Sequence, residues 1–313
     1  MSKSIALAAP EKKPAALPMN RLLVAMELGP ADEAVLHYLR WLVSKTNIEA
    51  LHFLHVLPPF DFNFLQGNTD FREWSDAFEM DREVLHNMRL QIERDVLKSS
   101  KKNIAHYMVK SGDPLEEMLL SVEQEGVNGL IIGQRSDTAY HVVLARNLAR
   151  KTQVNTLIIP SSAAPGLDHI LVPIDFSPNS ARALTAAVQF AKAVNPAARI
   201  TCLNVYEMPP VSAYRFSRNF QQFQEMVTER RRESTLAFIN TYGEGWQDHI
   251  QMAFVEKDMP GTSRYIAQYA EANQADLIVL GAKGHSKVEL LLMGSVTESL
   301  LSINDDIPTL IVK

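Results

Sequence analysis

The stretch ILVPIDFSPNSARALTAAVQFA, residues 170–191, places a short apolar run before an acidic residue, a turn with a proline, and apolar positions at helical spacing. This order is typical of a buried strand that leads into a helix. The same order occurs in LLVAMELGPADEAVLHYLRWL, residues 22–42. The chain therefore contains the same strand-to-helix unit twice, once near the start of each half.

The repeat continues beyond these units. Three further pairs of stretches match: IEALHFLHVLPP (48–59) with RITCLNVYEMPP (199–210), NGLIIG (128–133) with ADLIVLG (275–281), and VNTLIIP (154–160) with IPTLIVK (307–313). Helical patterns such as 114–126 and 261–274 separate the apolar runs. Alternating strands and helices predict an α/β fold with parallel strands joined by right-handed crossovers. The predicted division is a flexible tail at 1–18, a domain at 19–160 and a domain at 168–313, with the boundary in PSSAAPGLD, 160–168.

Composition limits the classes of partner. The chain has 313 residues, is 46% hydrophobic and carries a net charge of −5, so we expect no binding of nucleic acid. No run approaches the ~20 apolar residues of a membrane span, so we expect no membrane insertion. The single cysteine, Cys202, lies in the apolar run ITCLNVY and is expected to be a buried thiol. A reducing cytoplasm is the predicted location.

The stretch GAKGHSKVELLLMGSVT, residues 281–297, follows the predicted strand DLIVL. Ligands of open parallel sheets bind at the carboxyl ends of strands. Gly281 and Gly284 allow the backbone to approach a ligand or to adopt positive φ. Gly294 and Ser295 precede a helical pattern, and a helix N-terminus favours an anion. On spacing alone, a phosphate site and a plain turn with a helix cap both stay open.

The same glycines form a known signature. Gly281, Gly284, Gly294 and Ser295 complete the pattern G-x2-G-x9-G-[S/T], which resembles the nucleotide-binding signature of the universal stress protein family. VPIDFSPNSARAL, residues 172–184, resembles that family's first strand and turn. The resemblance covers about 20–160 and 168–313, so the chain resembles a tandem member. It implies two Rossmann-like domains of the adenine nucleotide alpha hydrolase-like class, each a five-stranded parallel sheet of order 3-2-1-4-5.

The resemblance also implies ATP binding, with Mg²⁺ held through the phosphates. Asp175 would contact the ribose, the backbone of Val205 would meet adenine, and amides near Gly294 would hold phosphate. His285 would reach a phosphate or face solvent. The complete set of nucleotide-binding residues implied in this way is Pro173, Asp175, Val205, Leu280, Gly281, Gly284, His285, Gly294, Ser295, Val296 and Thr297.

The first half departs from this signature. Gly133 matches Gly281, but the separation from Gly133 to Leu157 is 24 positions against 29 from Gly281 to Leu310, a loop shorter by 29 − 24 = 5. Glu27 stands in place of Asp175. We therefore predict that the first half binds no ATP. Arg135 and Arg146 are expected to be solvated, with binding of another anion as the alternative.

The resemblance also implies a contact between halves. Universal stress proteins often dimerise through their last strands, and TLIIP and TLIVK both remain apolar. In a tandem chain these strands can pair internally and form a pseudo-dimer. A homodimer of whole chains stays open.

Two long segments lie between the second and third strands of the halves, at 61–102 and 211–243, and lids are one role for them. In the second segment, Phe220, Phe223 and Val227 have helical spacing. The run Arg230–Arg232 is expected to be a solvated helix face, with phosphate binding as the alternative.

Three functions remain open at this point. The leading one is a stress-response signalling module that binds ATP in the second half, with a mainly structural first half. The second is a slow ATPase, for which Asp175 is the candidate water-positioning carboxylate, although the sequence shows no nucleophile elbow and no HExxH cluster. The third is an interaction protein that binds no nucleotide.

Overall fold

The computed structural model of the chain describes residues 17–29, 32–57, 80–97, 104–134, 139–208, 220–283 and 293–313. Most of the predicted tail, 1–18, lies outside these ranges. Its last two residues belong to the folded part, because Leu17 is buried in the core and the Pro18 carbonyl accepts a hydrogen bond from Asn155.

The first half alternates strands and helices, as its apolar pattern predicts. In chain order its elements are β1 Arg21–Met26, α1 Asp32–Lys45, β2 Ala50–Leu57, α2 Met80–Ile92 with a π-helical turn at Glu93–Leu97, β3 Ala105–Ser111, α3 Pro114–Gln124, β4 Gly129–Gln134, α4 Ala139–Lys151 and β5 Asn155–Pro160.

The second half repeats this order. Its elements are β6 His169–Pro173, α5 Pro178–Val194, β7 Arg199–Tyr206, α6 Phe220–Tyr242, a 3₁₀ turn at Gln247–His249, β8 Ile250–Glu256, α7 Thr262–Ala272, β9 Leu277–Gly281, α8 Ser295–Leu301 and β10 Thr309–Val312. Residues 161–168, where the sequence places the domain boundary, contain no helix or strand.

The ten strands of the described residues form one sheet in the order β3-β2-β1-β4-β5-β10-β9-β6-β7-β8. Within each half the strands are parallel and follow the predicted order 3-2-1-4-5. The halves join where β10 pairs antiparallel with β5, with Leu310 opposite Leu157. The predicted fold class is therefore confirmed, and the last strands meet within one chain.

Strand residues alternate between the two faces of this sheet. On one face a single apolar cluster includes Leu22 and Val24 of β1 together with Ile170 and Val172 of β6, so it spans both halves. On the other face, Leu23 and Leu171 belong to separate clusters. Burial on both faces explains why the strands are near-continuous apolar runs.

The turn after the first strand of each half has the same unusual backbone. Leu28 has a φ of 58° and Phe176 a φ of 63°, and the two residues occupy equivalent positions of the repeat. Non-glycine residues rarely adopt this left-handed conformation, which persists where the surrounding structure enforces it. The ring of Phe176 packs edge-on against Phe238 at 5.8 Å between centroids. The repeat thus extends to the shape of the turn that leads into α1 and α5.

Candidate functional site

A cavity of about 250 Å³ opens in the second half, at the carboxyl ends of β6, β7 and β9. Nine of the eleven nucleotide-binding residues implied by the sequence line it: Pro173, Asp175, Val205, Leu280, Gly281, Gly294, Ser295, Val296 and Thr297. The other two, Gly284 and His285, lie outside the described residues. Residues more than 100 positions apart in the chain are thus brought together.

The order of the strands in the sheet determines where the cavity lies. Strand β6 lies between β9 and β7, and the chain reaches these neighbours by crossovers that run in opposite directions along the sheet. The crossover helices diverge at this point and leave a crevice outside the carboxyl ends of the strands. Leu203 and Val205 of β7 and Leu280 of β9 supply apolar walls.

Asp175 is exposed at the end of β6 and has a fixed position. One carboxylate oxygen, Oδ1, accepts a hydrogen bond from the Ser177 amide at 3.0 Å. Ser177 in turn is the N-cap of α5, where its hydroxyl oxygen accepts from the Ser180 amide at 3.1 Å. Asp175 therefore supports the turn and also faces the cavity.

Gly281 is required by helix packing. A Cβ atom at this position would lie 2.7 Å from the backbone carbon and oxygen of Asn179 in α5. Real Cβ atoms essentially never come so close to backbone atoms. The approach of α5 to β9, rather than a left-handed turn, explains the glycine at the end of this strand.

The second glycine of the cavity is bonded to the residue that follows β9. The Gly294 amide donates to the Ala282 carbonyl at 2.7 Å, and the Thr297 hydroxyl donates to the Gly281 carbonyl at 3.0 Å. Gly294 itself is the N-cap residue of α8. These bonds hold the two ends of the segment 283–293 side by side, with Ser295 exposed at the cavity.

The solvated helix face predicted for Arg230–Arg232 is wrong for one residue. Arg231 is half-buried, with its guanidinium 4.3 Å from the centre of the Tyr206 ring and its Nη1 atom 3.0 Å from Asn204 Oδ1. Burial lowers the pKa of this guanidinium. Asn204 also donates to the carbonyl of Ile174, which lines the cavity. Arg230 and Arg232 are exposed, as predicted.

The half of the chain that contains this cavity is similar to known proteins. The profile of the Universal stress protein family matches residues 166–313. The stress response protein NhaX of Bacillus subtilis is 32% identical over 168 residues, which span 47% of this chain and 98% of NhaX. The chain belongs to the universal stress protein family. A universal stress protein of Methanocaldococcus jannaschii is 29% identical over 144 residues, 46% of this chain and 81% of that protein.

The universal stress protein fold extends over both halves. The crystal structure of a universal stress protein from Archaeoglobus fulgidus aligns with a TM-score of 0.63 at 20% identity, covering 94% of this chain and 98% of that one. At this identity the likeness concerns the fold alone. It includes the first half, which lies outside the residues that the family profile matches.

The corner of the first half that matches the cavity contains a buried carboxylate. Asp32 occupies the position of Ser180 in the repeat and is 2% exposed. Its two oxygens accept from the amides of Glu27 and Leu28 at 3.0 and 2.7 Å. Burial raises the pKa of this carboxyl, although the two amide bonds oppose the shift. The Glu27 and Leu28 amides are therefore already paired with a side chain of the protein itself.

The structure describes one of the two arginines considered as alternative anion ligands in this half. Arg135 lies outside the described residues. Arg146 is half-buried rather than solvated, and its Nε atom has no hydrogen-bond partner among the described residues.

The sequence missed several residues that line the cavity. Lys283 is exposed there and supplies a positive charge, and its position between Gly281 and Gly284 was the available signal. Thr262 and Ile266 come from α7, whose helical pattern did not indicate which side faces the cavity. The other residues missed are Ile174, Ser180 and Leu203.

Three further observations bear on chemistry. Cys202 is buried, and burial raises the pKa of its thiol to about 12, so this thiol is unreactive near neutral pH. In the described part of the chain, no helix has the length and apolar character needed to cross a membrane. The same residues contain no group of three His, Cys, Asp or Glu side chains arranged to hold a metal ion.

Proposed function

We propose that this universal stress protein is a stress-response signalling module that binds ATP in its second half, while the first half is mainly structural. The observation that carries this proposal is the cavity at the carboxyl ends of β6, β7 and β9. It combines apolar walls with a carboxylate and a cation, the combination of surfaces that a nucleotide requires.

The lining residues fit the parts of ATP. Leu203, Val205 and Ile266 offer an apolar surface for the base. Asp175 can accept hydrogen bonds from ribose hydroxyls. Lys283 and the glycine-flanked start of α8 suit phosphate groups, and Mg²⁺ would be bound mainly by those phosphates and water.

The proposal places the protein in the cytoplasm as a nucleotide-binding chain without nucleic-acid partners. The net charge of −5 supports the second part, since it provides no overall field that attracts nucleic acid. Because β5 and β10 pair within one chain, a homodimer of whole chains is not needed to cover these strands.

Thermal unfolding with ATP, ADP, AMP and GTP tests nucleotide binding. A ligand that binds only the folded state stabilises it by about 2.7 kcal/mol at 100 times its Kd. We expect ATP to raise the Tm, and mass spectrometry of the natively purified protein to detect an adenine nucleotide. If no nucleotide changes the Tm, the interaction protein without nucleotide becomes the better account.

Lys283→Gln separates binding of the phosphates from binding of the base. We expect weaker binding of ATP and unchanged binding of adenosine, because the substitution removes only the cation at the cavity. Lys257→Gln is the matched control, since Lys257 pairs with Glu207 at 3.0 Å and is not among the residues that line the cavity. Equal loss of ATP and adenosine binding in Lys283→Gln would contradict this assignment.

A slow ATPase is the second candidate. It is favoured by the oriented carboxylate of Asp175 at the cavity. Phosphate release by the wild type should then decrease strongly in both Asp175→Asn and Gly294→Val. Release that persists unchanged in both variants would indicate a contaminating enzyme.

A further inference from the structure

Two residues beside the candidate ATP site pack into the core of the first half. Ala282 directly precedes the segment 283–293 and Met293 is its last residue; they are 4% and 2% exposed. Both belong to an apolar cluster built mainly from first-half residues, including Leu148 of α4. Leu301, the last residue of α8, belongs to the same cluster.

A buried amide of the first half holds the other end of α8. Gln134 is the last residue of β4 and is 3% exposed. Its Nε2 atom donates to the carbonyls of Leu301 and Asn304 at 3.4 and 3.3 Å. The last carbonyls of a helix have no partner inside the helix, so this side chain supplies one from the opposite half.

An ion pair links helix α4 of the first half to helix α8. Arg150 of α4 pairs with Glu298 of α8. Glu298 directly follows Thr297, which lines the cavity. Neither Arg150 nor Gln134 is among the described residues that line the cavity, whereas α8 contributes three of them.

We infer that the first half positions the ATP site of the second half, with Gln134 and Arg150 as the positioning residues that fix α8. This inference rests on the proposed binding of ATP. A helix of seven residues is not stable alone, so α8 depends on its tertiary contacts for its position. Contacts that hold a site in its binding geometry before the ligand arrives increase affinity.

The test measures the Kd of ATP in the full chain at a temperature well below the Tm of each variant. The variants are Gln134→Leu, Arg150→Met, Glu298→Gln and the double variant Arg150→Met/Glu298→Gln. We expect Gln134→Leu to weaken binding about twofold to tenfold, the range of one net hydrogen bond. Arg150→Met and Glu298→Gln should each weaken it about twofold to fivefold, the range of a partly exposed ion pair.

The double variant distinguishes positioning from a direct charge effect. If the pair acts as a unit, the double variant should lose no more affinity than one single variant. A direct effect on the phosphates would instead give opposite changes, with Arg150→Met weakening ATP binding and Glu298→Gln strengthening it. Arg230→Met is the matched control, because Arg230 forms an exposed ion pair with Glu233 within α6.

Opposite changes in the two single variants, or wild-type affinity in Gln134→Leu and Arg150→Met, would overturn this inference alone. A wild-type protein that binds no ATP would overturn the proposed function as well.

Discussion

Gly281 shows how a residue at a ligand site can be fixed by packing. Because a Cβ would lie 2.7 Å from the backbone of Asn179, Gly281→Ala must displace α5 or β9. We expect a loss of about 1–3 kcal/mol in the free energy of unfolding, the usual cost of overpacking. Urea denaturation measures the loss, and ATP binding should weaken with it because α5 carries Ser180 of the cavity wall.

Gly29→Ala is the control for this prediction. Gly29 lies in the turn between β1 and α1, and a Cβ there would meet nothing within 4 Å. The substitution Gly29→Ala should change the free energy of unfolding by no more than about 0.5 kcal/mol, as for a surface substitution. Equal losses in the two variants would show that the contact with Asn179 is not the cause.

For single residues, the sequence could identify members of the site only through a pattern of residue types and spacings. Asp175 and the glycines of the cavity were found through their signature. Arg231 was misjudged, because consecutive helical residues point about 100° apart and a run of three arginines does not show which one faces the sheet. Thr262 was missed because the orientation of α7 depends on its packing.

Helix capping gives a prediction for one capped helix in each half. Ser177 caps α5 beside the cavity, and Asp113 caps α3 in the first half through the Glu116 amide at 3.0 Å. Ser177→Ala and Asp113→Ala should each lower the free energy of unfolding by about 0.5–2 kcal/mol. Only Ser177→Ala should also weaken ATP binding, because loss of the cap loosens the turn in which the Ser177 amide holds Asp175. A comparable loss of ATP affinity in both variants would argue against a local effect.

Lys313 gives α4 a pH-dependent contact. Its Nζ atom donates to the Ala149 carbonyl, and burial, with a smaller contribution from Lys283, lowers its pKa from 10.5 to about 8. Between these pH values the unfolded chain binds more protons at this site than the folded chain. Stability attributable to Lys313 should therefore increase as the pH rises from about 8 to about 10.5.

The measurement is the difference in the free energy of unfolding between the wild type and Lys313→Met at pH 7 and at pH 10. The free energy of unfolding of the wild type should increase relative to that of Lys313→Met at the higher pH. Lys151→Met, at an exposed position of the same helix, should show no such gain. A difference that falls with pH would contradict the burial of Lys313.

Elements were predicted better than their contacts. Short apolar runs and helical spacing predicted the alternating strands and helices of both halves, because burial on two faces leaves this pattern in the sequence. The antiparallel pairing of β5 with β10 was expected only from the family resemblance, since two apolar strands do not reveal their partner. The contact of Gln134 with α8 left no pattern in the sequence.

For the whole molecule, the asymmetry of the halves predicts one nucleotide per chain. In the first half the carboxylate of Asp32 is buried and already accepts the amides of Glu27 and Leu28. This carboxylate stands where Ser180 lines the cavity of the second half, and the loop after Gly133 is shorter by 29 − 24 = 5 residues. Calorimetric titration with ATP should therefore give a stoichiometry near one, and two nucleotides per chain would refute the assignment of a single site.

The pairing of β5 with β10 at the centre of the sheet has a consequence for synthesis on the ribosome. Strand β5 is synthesised long before β10. Until β10 emerges, the edge of β5 that will pair with it has unpaired backbone groups. Neighbouring nascent chains on one messenger expose the same unpaired edge of β5. Pairing between two such edges competes with the pairing of β5 and β10 within one chain. The yield of native protein should therefore fall as expression becomes faster, even though the finished chain covers that edge.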